Sequence, residues 1–117
     1  MDREELKKRT KKFALDIIKL TEDFPKTKAG DVIGRQLLRS ATSVGANYRA
    51  ACRARSQADF ISKISVVEEE ADESCFWLEL TIESGLANTE DAKTLLKEAD
   101  ELTAIFTASK KTARSNI

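Results

Sequence analysis

The chain has 117 residues, with one proline, four glycines and no histidine, and 34% of its residues are charged. Such a composition suits long helices and not a sheet, and without histidine the commonest neutral-pH acid–base group and metal ligand is missing. Its twenty lysines and arginines balance twenty aspartates and glutamates, so overall charge alone selects neither a polyanionic nor a polycationic partner. The length predicts one domain over residues 1–117, large enough for a core without metal or disulfide staples. The two cysteines, Cys52 and Cys75, lack the spacing of a metal or redox motif and read as small buried hydrophobes. No apolar run approaches the roughly 20 residues of a membrane span, and the amino terminus is too polar for a signal peptide, which predicts a cytoplasmic protein.

Three breaks divide the chain into four helical stretches. The first carries Leu6, Phe13, Ile17, Leu20 and Phe24 at threes and fours and ends at Pro25, followed by Lys26 to Gly30. The second repeats Ile33, Leu37, Ala41, Val44, Tyr48 and Ala51. Ser56 reads as the N-cap of the third, with Asp59 in a capping-box-like position. The stripe of that helix is Phe60, Ile64, Val67, Ala71, Cys75, Leu78 and Ile82, and Gly85 marks its end. Asn88 or Thr89 caps the fourth, whose stripe is Ala92, Leu95, Ala99, Leu102 and Phe106. Four apolar stripes joined by short turns predict an all-α, antiparallel up-down-up-down four-helix bundle. At 1.5 Å per residue it would be a rod on the order of 35 Å long.

The zero net charge hides a segregation. Residues 1–30 carry +3, 31–56 carry +4, 57–88 carry −7 and 89–117 carry zero. At about 100° per residue, Arg35, Arg39, Arg49 and Arg53 fall opposite the apolar stripe of the second helix as one ridge, with Thr42 and Ala46 between them. Arginine suits planar, bidentate pairing with carboxylate or phosphate. On the third helix, Val66, Phe76, Trp77 and Leu80 form a second apolar patch roughly 180° from the core stripe, with Glu69 and Glu73 among them. An outer cluster of this kind is expected at an interface, and the arginine ridge of a neighbouring subunit would supply partners for the two glutamates. A second basic region comprises Lys7, Lys8, Arg9, Lys11 and Lys12 with Lys110, Lys111 and Arg114 near the chain end. Were both termini at one end of the bundle, these would make a candidate phosphate-binding patch for RNA or DNA.

Residue types that would carry catalysis are missing or scattered. Di-metal carboxylate sites in bundles use Glu-x-x-His, and the acids Glu68, Glu69, Glu70, Asp72 and Glu73 spread around their helix. The serines have no histidine base, and the glycines form no phosphate loop or dinucleotide fingerprint. The expectation is a protein that is not an enzyme and has no catalytic, cofactor or metal site, no small-molecule substrate and no membrane partner.

The stretch Gln36-Leu-Leu-Arg-Ser-Ala-Thr-Ser-Val-Gly-Ala-Asn-Tyr-Arg-Ala-Ala-Cys-Arg-Ala-Arg-Ser56, followed by Asp59, Phe60 and Lys63, resembles the small four helix bundle protein family. Founding members of that family are encoded by intervening sequences in bacterial 23S ribosomal RNA genes. The likeness continues through Ile64, Glu69, Glu73 and Trp77-Leu78-Glu79-Leu80, and the ending Leu20-Thr-Glu-Asp-Phe24-Pro25 of the first helix fits as well. Where the family often has Ile-Pro-Ala-Asn-Ile-Ala-Glu-Gly, this chain has Val44-Gly-Ala-Asn-Tyr-Arg-Ala-Ala51: Asn47 matches, while Arg49 and Ala51 belong to a variant branch. The resemblance implies a homo-oligomeric bundle, with the pentamer the best-known arrangement. It also implies a link to the accessory proteins of diversity-generating retroelements, which share the fold and contact a reverse transcriptase and nucleic acid.

Overall fold

The computed structural model describes residues 1–116, so Ile117, the last residue of the expected domain, lies outside it. Four helices account for nearly all of the chain: α1 (Arg3–Glu22), α2 (Lys28–Cys52), α3 (Gln57–Glu83) and α4 (Glu90–Ser115). No strand occurs among the described residues.

Each helix starts on a side-chain cap that satisfies a backbone N–H left free by the first turn. Asp2 accepts from Glu5 N at 2.8 Å, Thr27 from Gly30 N at 3.0 Å, Ser56 from Asp59 N at 3.0 Å and Thr89 from Ala92 N at 3.1 Å. The Asp59 carboxylate returns a bond to Arg55 N at 3.1 Å, so the expected capping-box geometry forms in a variant that reaches one residue further back. Thr27 starts α2 earlier than the Lys26–Gly30 break suggested, which puts Gly30 inside the first turn. There an added Cβ would lie 2.1 Å from the Pro25 carbonyl oxygen, and only glycine fits. Gly85 closes α3 at φ 77°, a conformation other residues adopt at a cost.

The predicted stripes form the core, except at Ile33 and Ile82, which are half-buried and stand outside it. Phe13, Ile17, Leu37, Val44, Ile64, Val67, Leu78, Leu102 and Phe106 are almost wholly removed from solvent, each contributing about 1.5–3 kcal/mol by burial. Leu20, Phe24 and Phe60, nearer the helix ends, are half-buried against that core. Four polar side chains, Thr10, Ser40, Ser74 and Thr81, are buried with them. All four return their hydroxyls to carbonyls one turn earlier, and Ser40 and Ser74 also meet across α2 and α3 at 2.9 Å. The molecule measures 47 × 21 × 20 Å, longer than the predicted rod because caps and turns extend beyond helices of 20 to 27 residues.

Helix α1 packs on α2, α2 on α3 and α3 on α4, while α1 touches α4 least. At one end, Arg3 donates to the Cys52 carbonyl at 3.4 Å and Gln57 to the Ala113 carbonyl at 2.9 Å. Both described termini therefore lie beside the α2–α3 turn. Helices α1 and α3 make no close backbone approach to each other among the described residues.

Candidate interaction surfaces

The arginine face of α2 divides at its middle. Arg35 pairs with Asp31 one turn away at 2.8 Å. Arg39 reaches across to α3, donating to Glu70 at 2.9 Å and also to Glu73, which accepts in addition from the Trp77 indole N–H at 3.2 Å. The bond to Glu70 is the main reason the Arg39 guanidinium holds its proton more tightly than usual. Glu73 thus finds its arginine within its own chain, which corrects the expectation that it waits for a neighbouring subunit. The physical reason is register: α2 and α3 are packed neighbours, and Arg39 falls level with the Glu70–Glu73 turn. Further along the face, Arg49 and Arg53 are exposed and have no carboxylate within ion-pair distance among the described residues.

On the outer face of α3, Phe76 is 52% exposed and Val66 41% exposed. Phe76 meets Trp77 edge-on, with ring centroids 5.0 Å apart. Trp77 itself packs partly on the core, and Leu80 is half-buried. The predicted patch is therefore present but graded, most open at Phe76 and Val66. Glu69 is exposed, and neither it nor Asp72, Glu79 or Glu83 has a cationic partner among the described residues.

The candidate phosphate-facing residues also divide. Arg9 is held in a fork by Glu98, Nε and Nη2 each at 2.7 Å, in a part-buried pair that raises its affinity for its proton. Lys110 is 2.5 Å from Glu68. That carboxyl is held below its ordinary range first by Lys110 and then by the Thr107 hydroxyl. Lys7 and Lys12 pair within α1 with Glu4 at 3.1 Å and Asp16 at 2.6 Å. Lys8, Lys11, Lys111 and Arg114 are exposed without an ion-pair partner among the described residues. Arg9 and Lys110 therefore do not present free charge to phosphate, because α4 and α3 supply their carboxylates.

Two features of the surface escaped the sequence reading. Arg3 and Arg55 join Arg53, Lys111 and Arg114 at the terminal end, and Arg3 lies over the Phe60 ring at 5.6 Å. Residues 1–9, 49–63 and 108–116 hold eleven of the twenty cations and only four of the twenty carboxylates. On α1, Leu15 is 50% and Ile18 37% exposed, opposite the buried stripe. The helical spacing that located the α3 patch also finds these two. The cysteines carry no site: Cys75 is buried, which pushes its thiol up to about 12, and Cys52 is half-buried near the terminal end.

Two chemistries are open to this arrangement: helix-to-helix docking through exposed apolar side chains flanked by charge, and contact with a polyanion at the basic end. The chain belongs to the 23S rRNA-intervening sequence protein family, whose model matches residues 3–108. It is similar to the crystal structure of a protein of unknown function from the S23 ribosomal protein family from Bacteroides thetaiotaomicron. The TM-score is 0.85 and the identity 32%, over 95% of this chain and 99% of that one. Among curated proteins none matches. No helix of the described residues is long and apolar enough to cross a membrane.

Proposed function

We propose that the chain is a non-enzymatic, cytoplasmic assembly protein: an up-down-up-down bundle that associates with copies of itself through the outer face of α3. An antiparallel order is supported by the contact pairs, since Arg3 meets Cys52 while Phe24 lies against Gly34, and Glu68 meets Lys110 while Cys75 meets Thr103. The observation that carries self-association is the exposure of Phe76 beside Trp77, with Val66 also exposed on the same helix. Docking would remove a half-exposed aromatic ring from water, a gain that grows with the apolar area buried. A ring is the expected form, the pentamer being what the family resemblance implies. Sedimentation at micromolar concentration tests this: the wild-type chain should run as an oligomer and Phe76→Glu as a smaller species with unchanged helicity. A wild-type monomer would remove the proposal.

A second reading is favoured by the cation excess at the terminal end. Arg3, Arg53, Arg55, Lys111 and Arg114 would hold the phosphates of RNA or DNA without reading bases, as expected of an accessory protein in a nucleic-acid complex. Fluorescence anisotropy with a labelled RNA at low salt should show binding that weakens steeply with salt. Combining Arg53→Glu, Arg55→Glu and Arg114→Glu should abolish it. Unchanged binding by that variant would overturn this reading while leaving assembly untouched.

A further inference from the structure

The outer face of α3 needs a partner of particular chemistry, and the same chain carries one. Around Val66 and Phe76 stand Glu69, Asp72, Glu79 and Glu83, none neutralised among the described residues. Two such faces docked on each other would bring like charges together, which costs free energy as the interface dries. The required surface is an exposed apolar strip flanked by unpaired cations. Helix α1 has it: Leu15 and Ile18 are the exposed apolar pair, and Lys8, Lys11 and Lys19 stand on the same side, exposed and unpaired among the described residues. The span from Lys8 to Lys19 is about 16 Å of helix and that from Glu69 to Glu83 about 21 Å, so the charges can be matched along their length. The α2 face fits less well, because Arg35 and Arg39 are already paired and Val32 is its only exposed large apolar residue among those described.

We infer that α3 of one copy docks on α1 of the next, Phe76 and Val66 against Leu15 and Ile18, with the glutamates and aspartate of α3 facing the lysines of α1. This rests on the self-association reading above and names the partner surface. Because α1 and α3 are not packing neighbours but lie diagonally across the bundle, donor and acceptor faces point in different directions. The contact is then heterologous, and repetition gives a directional array that closes into a ring if the rotation per step allows. The charge segregation between α1 and α3 acquires a purpose: it selects the pairing α3-on-α1 over α3-on-α3.

Complementary interface variants of the full chain test the inference by light scattering coupled to gel filtration. Phe76→Glu keeps α1 intact, and Leu15→Glu with Ile18→Glu keeps α3 intact. Each alone should lose the wild-type mass, and an equimolar mixture should give a species of two chains and nothing larger, since only one competent interface remains. Lys8→Glu, Lys11→Glu and Lys19→Glu together, which spare the apolar residues, should also lower the mass and reproduce the two-chain mixture with Phe76→Glu. The inference is overturned if the α1 variants retain full mass while Phe76→Glu does not, an outcome that leaves self-association through α3 standing. It is equally overturned if both variants lose mass but the mixture stays monomeric, because the intact α3 of one variant and the intact α1 of the other then do not recognise each other. Full mass for Phe76→Glu removes the self-association reading itself, and the inference with it.

Discussion

Arg35 and Arg39 occupy the same face of α2 as Arg49, with Arg53 at the C-cap just beyond it, yet the two pairs have opposite electrostatic fates. The first two are neutralised by Asp31, Glu70 and Glu73. The second two reach the terminal end, where cations outnumber carboxylates and, among the described residues, no carboxylate comes within ion-pair distance of them. A run of charge along a chain therefore says little about surface charge until the neighbouring helix is known, because packing brings some charges level with partners and leaves others bare.

The largest perturbation should erase the comparison altogether. Phe106 is fully buried and its ring lies 5.5 Å from that of Tyr48 on α2. Phe106→Ala should lower unfolding free energy in urea by about 3–5 kcal/mol, affecting both halves of α2 because they share one core. Next in size is the Glu68–Lys110 pair between α3 and α4, whose side chains are 18% and 20% exposed. Lys110→Met should cost about 1 kcal/mol at pH 7. The Glu68 carboxyl sits below its ordinary 4.5 in the folded chain, so its contribution is fully present above that value and lost as pH falls through the lowered one. The difference between wild type and Lys110→Met should accordingly shrink as urea titrations are taken below pH 4.5. The smallest effect goes directly to the comparison. Arg39→Met, breaking a half-exposed pair, should cost roughly 0.5–1 kcal/mol, and Arg49→Met less than about 0.5. Equal losses would mean that the α2–α3 bridge contributes no more than a solvated arginine.

Much of the fold was legible because helix signals are local. Pro25, Ser56, Gly85 and Thr89 act through their own backbone and the next turn, and the apolar period of about 3.6 marks the face that must leave water. Thr10, Ser40, Ser74 and Thr81 were not legible as core, since a hydroxyl that bonds back to its own helix hides its polarity in a way composition does not show. Of the candidate surface, Phe76 and Val66 followed from spacing, as Leu15 and Ile18 could have. The partners of Arg9, Arg39 and Lys110 did not follow, because each lies on another helix between 31 and 89 positions away in the chain.

The sequence by itself determined four helices, their caps and the faces they bury, all consequences of periodicity and side-chain reach over a single turn. Only the tertiary structure decided which charges remain free. Ion pairing depends on the axial register of packed helices, and about 15 Å along the axis of α2 separates the paired Arg39 from the bare Arg49.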